Sequence, residues 1–150
     1  MDTAKLSAGP CPVSHGLAKA GDTWSMLILR DAGLGHTRFD QFLKSLRIAP
    51  NILTRRLSAL VEAGMLEKRQ YSERPPRHEY VLTPAGRDYL PILHALAGWA
   101  RKHGDAGAMS ALVEMGSGRA IDPVVVDRHS WRPLTDLSIS LKLPEKKGAA

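Results

Sequence analysis

The chain has 150 residues, 43% hydrophobic and 24% charged, a balance that fits one folded domain with at most a small appendage and excludes a disordered polymer. No apolar run approaches the roughly 18 residues of a membrane span, and no basic-then-apolar leader is seen, so neither a membrane partner nor secretion is expected. The single Cys11 excludes an internal disulfide framework, which points to a reducing cytoplasmic setting, and 5% aromatic content gives little support to base-stacking platforms.

Residues 1–10 are small, polar and contain Gly and Pro, and are expected to form a flexible N-terminal tail. Pro12 suits the first position of a helix that carries Val13, Leu17 and Ala20 on one face and ends at Gly21. Asp22 or Thr23 then caps a second helix over residues 24–31, whose inward stripe is Trp24, Leu27, Ile28 and Asp31. A third helix over residues 38–46 places Phe39, Phe42, Leu43 and Leu46 together. After the short turn Arg47-Ile48-Ala49, Pro50 opens a fourth helix. At about 100° per residue, Leu53, Leu57, Leu60 and Val61 share its core side. Asn51, Arg55, Ser58 and Glu62 fall opposite, with Thr54 on a flank. Two amphipathic helices around a short polar turn, the second exposing Asn, Thr, Arg and Ser, make a helix-turn-helix pattern. An ordinary helical hairpin with one wet face would show the same periodicity.

The next elements separate the two readings. Gly64 ends the fourth helix, and residues 65–71 alternate like a strand. Residues 72–76 contain Pro75 and Pro76 and are expected to interrupt it, after which residues 77–82 alternate again. The pair predicts a two-stranded wing with Arg74 and Arg77 near its tip. Thr83 caps a long helix opening with Pro84, with Tyr89, Leu93, Leu96, Trp99 and Ala100 inward and Pro91 kinking or breaking it. Charge tracks this motif. Residues 38–103 hold 12 Lys and Arg against 6 Asp and Glu, whereas the segments before and after are neutral, so the formal net charge of +6 resides there. Clustered cations on a helix-turn-helix and wing suit double-stranded DNA.

Four stretches resemble the HxlR-type winged helix-turn-helix regulators of bacteria: Cys11-Pro12-Val13; Gly21-Asp22-Thr23-Trp24 leading into Leu27-Ile28-Leu29-Arg30; Arg38-Phe39 with Leu53-Thr54-Arg55-Arg56-Leu57; and Pro76-Arg77-His78-Glu79-Tyr80-Val81-Leu82-Thr83-Pro84-Ala85-Gly86. The last is the most specific. Thr23 stands where the family usually has a basic residue, which removes one expected phosphate contact. The resemblance implies a homodimeric transcription factor packed through its first and last helices, and it is compatible with a small-molecule effector. It also implies that a cysteine in the Cys-Pro-Val position can act as a redox switch.

The expected fold class is therefore α+β, mainly α. It comprises a winged helix-turn-helix over residues 11–103, its long last helix serving dimerisation, and a small β-rich extension over residues 104–150. In that extension Val113-Glu114-x-x-Ser117-x-Arg119-x-Ile121 is echoed by Val126-Asp127-x-x-Ser130-x-Arg132-x-Leu134, and Leu137, Ile139, Leu141 and Leu143 alternate with polar residues. Two hairpins in a mini-sheet are expected, with residues 145–150 frayed.

The expected DNA contacts are Arg38, Asn51, Thr54, Arg55, Arg56, Ser58, Arg74 and Arg77. Arg55 is expected on a base edge, Arg56 on a phosphate, and Arg74 and Arg77 on flanking phosphates or in the minor groove. Arg77 has a rival role in an ion pair with Glu79. The operator is expected to be an inverted repeat. Val13, Leu17, Leu93, Leu96 and Trp99 are the expected dimer contacts, and Cys11, at a helix N-cap with His15 one turn on, is the candidate redox sensor. No Cys-x-x-Cys, His-Glu-x-x-His or carboxylate cluster calls for a metal, and no cofactor or catalytic residue is expected. The alternative is a cysteine-dependent thiol switch or small enzyme that uses the winged fold as a scaffold. Such an enzyme would need no basic residues on a wing tip.

Overall fold

A computed structural model describes Lys5 and residues 7–105 and 107–145. Of the tail expected over residues 1–10, residues 1–4 and 6 lie outside the described residues, as do residues 146–150 of the frayed end expected over 145–150. The chain forms two compact units, Met1–Leu90 and Pro91–Ala150.

The first unit holds helices α1 (Pro12–Ala20), α2 (Thr23–Gly33), α3 (Phe39–Leu46) and α4 (Pro50–Glu62), then strands β1 (Leu66–Glu73) and β2 (Pro76–Leu82). Helix α5 (Pro84–His103) begins in this unit and continues into the second. Proline opens α1 and α4, where its missing N–H would have no intrahelical partner. Asp22 caps α2, its Oδ1 accepting the Ser25 N–H at 3.0 Å. Thr83 starts α5: its Oγ accepts the Gly86 N–H at 3.1 Å and donates to the Gly64 carbonyl at 2.6 Å.

Leu53, Leu57 and Leu60 of α4 are fully buried against Ile28 and Leu29 of α2 and Phe42 of α3, the centre of a small core. That burial, at about 1.5–3 kcal/mol per large apolar side chain, fixes which face of α4 meets water. The inward stripe of α2 differs from expectation. Ser25, Ile28, Leu29 and Asp31 are its buried residues, whereas Trp24 and Leu27 are half-buried. Helix α3 starts one residue late, because Arg38 is its N-cap and Gln41 Oε1 accepts the N–H groups of both Thr37 and Arg38.

The wing is longer than its prolines suggest. β1 and β2 pair antiparallel from Leu66–Leu82 to Glu73–Pro76, with Tyr71 as the extra residue of a bulge, so only Arg74 and Pro75 form the tip. Pro76 is tolerated because both strands of a two-stranded ribbon are edges, where an outward position needs no ladder donor. Pro91 likewise does not break α5, which runs unbroken from Pro84 to His103. Along α5, Tyr89 is half-buried and its hydroxyl donates to Ala20 O at 3.2 Å. Leu96 and Trp99, expected to face inward, are 48% and 62% exposed.

In the second unit the expected mini-sheet does not form among the described residues. The repeated segments instead make two turns, each closed by one isolated antiparallel bridge, Val113–Ala120 and Val126–Pro133. The turns share one plan. Ser117 Oγ donates to the Glu114 carboxylate at 2.6 Å and Ser130 Oγ to Asp127 at 2.7 Å. Gly118 N–H meets Glu114 O, and Trp131 N–H meets Asp127 O. The residue after each serine is left-handed, Gly118 at φ 67° and Trp131 at φ 56°. A 3-10 turn, Leu134–Asp136, follows, capped by the Leu137 N–H, and the alternating segment 137–143 forms no β-ladder among the described residues. Alternation makes a strand possible, but a strand exists only where a second edge accepts its hydrogen bonds.

Candidate nucleic-acid interface

The three buried leucines of α4 turn Asn51, Thr54, Arg55 and Ser58 outward, and all four are exposed. Two are engaged locally. Asn51 Oδ1 accepts the Ile52 N–H at 2.9 Å, leaving its amide hydrogens free, and Thr54 Oγ donates to Pro50 O at 2.9 Å. Arg55 is exposed and forms no salt bridge or hydrogen bond among the described residues, as a side chain awaiting an external acceptor would.

Arg56 is placed differently. It is half-buried, and its Nη1 lies 3.4 Å from Asp22 Oδ2, so its charge is drawn toward the start of α2 and away from the exposed face. Sequence periodicity puts it on the flank and cannot show the carboxylate beside it. Arg38 is exposed and its guanidinium stacks over the Tyr71 ring at 4.7 Å, a cation–π contact that steadies it between α3 and the wing.

At the wing tip Arg74 and Arg77 are exposed and free of ion pairs among the described residues. Glu79, the rival partner for Arg77, stands opposite Arg69 in the ladder. Arg69 in turn bonds Glu67 at 3.1 Å, which holds the Glu67 carboxyl below its ordinary value. The wing is tied to the helix-turn-helix by the Tyr80 N–H, which donates to Thr37 O at 2.7 Å. Helices α1–α4 and the wing thus lie in one unit, with Arg38, Arg55, Arg74 and Arg77 on exposed positions. Two further residues have a conformation or partners that the sequence does not show. Arg47 ends α3 in the left-handed conformation at φ 50°, inside the turn between the two helices, and is exposed. Asp31 is a buried carboxylate held by Arg30 at 2.7 Å with His36 Nδ1 3.7 Å away. Its place on the α2 stripe was legible, but its partners were not.

Cys11 is exposed at the N-cap of α1. The Ser14 N–H, the Ser14 hydroxyl and then the Val13 N–H hold its thiol below the ordinary value. His15 contributes nothing to this, since its ring bonds Gly9 O at 2.8 Å. Val13 and Leu17 on the same helix are 65% and 46% exposed, and Leu93 of α5 is half-buried. Among the described residues no group of three or more His, Cys, Asp or Glu is arranged for a metal ion. The Glu114-x-x-Ser117 and Asp127-x-x-Ser130 turns have the spacing of paired zinc cysteines, but hydroxyl–carboxylate bonds close each on itself. No helix among the described residues is long and apolar enough to cross a membrane.

A buried-leucine helix presenting a polar arginine-centred face, with a basic hairpin joined to it, defines a winged helix-turn-helix regulator. The comparisons agree: the profile of the HxlR-like helix-turn-helix family matches residues 20–108, and the chain belongs to that family. An uncharacterised HTH-type transcriptional regulator of Mycobacterium bovis is 34% identical over 130 residues, 85% of this chain and 82% of its own. The crystal structure of PA1607, assigned as a transcription factor, is 37% identical with a TM-score of 0.80 and covers 93% of this chain and 99% of its own. The redox regulator HypR in its oxidized form is 30% identical with a TM-score of 0.59, covering 64% of this chain and all of its own. The chain is accordingly a transcriptional regulator of the helix-turn-helix type and not an enzyme.

Proposed function

We propose that the chain acts in the cytoplasm as a homodimer that reads an inverted-repeat operator, with α4 in the major groove and the wing on flanking phosphates. The observation that carries this is the division of α4: Leu53, Leu57 and Leu60 are wholly buried, while Asn51, Arg55 and Ser58 are exposed on the other side. Arg55 supplies a bidentate donor fork for a guanine edge, and Asn51, Thr54 and Ser58 supply shorter polar contacts. Arg38, Arg74 and Arg77 bind phosphates. Arg56 acts through its pair with Asp22, orienting α4, more than through a phosphate.

One winged helix makes few base contacts, so useful specificity calls for two, spaced about 34–36 Å along the duplex. The exposed Val13, Leu17, Leu96 and Trp99 support an apolar dimer contact. The test is binding to duplex DNA from upstream of the protein's own gene, followed by fluorescence anisotropy across a salt series. Affinity should fall steeply with salt, and an inverted repeat should be protected from cleavage. Salt-independent binding, or none to any duplex, would refute the reading.

The exposed, acidified Cys11 favours a second role as a redox input, and the likeness to HypR supports it. A single cysteine per chain would respond by bonding to its counterpart in the dimer or to a low-molecular-weight thiol.

A further inference from the structure

Between residues 107 and 145 the chain is ordered by its two matched turns yet has no core of its own, for none of these residues is buried. It is fastened to the C-terminal half of α5. Arg101 donates to Met109 O and Ser110 O at 3.1 and 2.8 Å, and Pro123 packs so closely on Gly98 that a Cβ there would meet it at 3.1 Å. Beyond Leu137, residues 138–145 form no hydrogen bond among the described residues. Ile139, Leu141 and Leu143 are 69%, 76% and 65% exposed, on alternate positions. From Ser138 to Leu143 the segment thus has the pattern of a half-buried strand, with both ladder edges unoccupied and its apolar side chains exposed. Such an edge is a template for strand addition.

We propose that residues 137–143 form a strap that pairs with a second copy of this chain, which offers its own strap in return; this rests on the homodimer proposed above. Three observations select that occupant. The segment after His103 is charge-neutral, unlike the basic residues 38–103, so nucleic acid has no electrostatic reason to settle there. The same unit carries Leu96, Trp99 and Trp131, which are 48%, 62% and 76% exposed, so large uncovered apolar side chains travel with each strap. A two-fold axis makes strap and receiver reciprocal. Finally, two tryptophans at roughly 150–250 Å² each, with the three strap residues, approach the ~800 Å² per partner of a stable interface.

The experiment places the photo-crosslinker benzoylphenylalanine at position 141 of the full chain, and mixes two differently tagged preparations before illumination. A covalent product carrying both tags is expected. The double substitution Ile139→Asp with Leu141→Asp should weaken the sedimentation dissociation constant by at least about 30-fold, with an unchanged circular dichroism spectrum. Crosslinks found only within one chain, or a dissociation constant that does not move, would overturn the strap while leaving a dimer held by its helices. A wild-type chain that sediments as a monomer at all concentrations would overturn the dimer, and the strap with it.

Discussion

Asp22 uses its two carboxylate oxygens on two different elements: Oδ1 caps α2 at the Ser25 N–H, and Oδ2 holds Arg56 of α4 at 3.4 Å. The start of α2 and the recognition helix therefore share one anchor. The cap is worth about 1 kcal/mol, and the pair less, because both side chains are 36% exposed.

Asp22→Asn and Asp22→Ala separate these contributions. Asparagine keeps a capping oxygen and loses only the charge, so urea unfolding should show a loss of at most about 0.5 kcal/mol. Alanine loses both, and about 1–1.5 kcal/mol is expected. Equal losses for the two variants would mean that the ion pair, not the cap, is what matters.

Gly86 closes the most specific stretch of sequence, and the packing gives the reason. It is buried at the start of α5, where a Cβ would fall onto the Met65 carbonyl oxygen and within 3.0 Å of Leu82 Cδ2. Backbone cannot yield as a side-chain tip can, so Gly86→Ala should cost at least about 2 kcal/mol in thermal or urea unfolding. Gly16 in the middle of α1 has nothing within 4 Å of the same position. Gly16→Ala should stabilise by up to about 1 kcal/mol through helix propensity.

Features that a single segment decides are legible in the sequence. The Leu53, Leu57, Leu60 period, Pro50 at a helix start and Thr83 as a cap are local, and each holds. Features decided by a distant partner are not. Arg56 lies at the edge of the apolar stripe, where only the neighbouring Asp22 settles its direction. Residues 72–76 read as a strand-breaker, yet Glu73 pairs with Pro76, since a ribbon edge asks for fewer donors than a central strand. Residues 137–143 have strand periodicity without a ladder within the described residues, because periodicity reports a face and not a partner. The echo around Ser117 and Ser130 is a structural repeat, but its product is a pair of self-bonded turns in place of the expected hairpins.

Arg55→Ala should lower affinity for the specific operator by about 1–3 kcal/mol and affinity for random duplex by less. Anisotropy titrations on both DNAs check it. Equal losses on the two would make Arg55 a phosphate contact.

Arg74→Ala and Arg77→Ala should behave in the opposite way, weakening binding to every sequence alike. Each should reduce the slope of log affinity against log salt by about one. If the slope stays at its wild-type value in both, the wing does not touch the backbone.

The position of Cys11 at the start of α1 displaces its titration downward. The Ser14 N–H, the Ser14 hydroxyl and the Val13 N–H at the start of α1 favour the thiolate, so its pKa lies below the ordinary value. The sign follows: thiolate accumulates at lower pH than for a free cysteine. The small stability it contributes is present above the unfolded thiol's pKa and fades as pH falls through the folded one. Iodoacetamide alkylation measured against pH should therefore show an inflection below the free value of about 8.5. Ser14→Ala removes the hydroxyl but keeps the backbone donor, so it should move the inflection part of the way back. His15→Ala should leave it in place, because that ring is bonded to Gly9. An inflection at the free value, unmoved by Ser14→Ala, would show that the helix start does not activate the thiol. Mild oxidant should then leave operator affinity untouched.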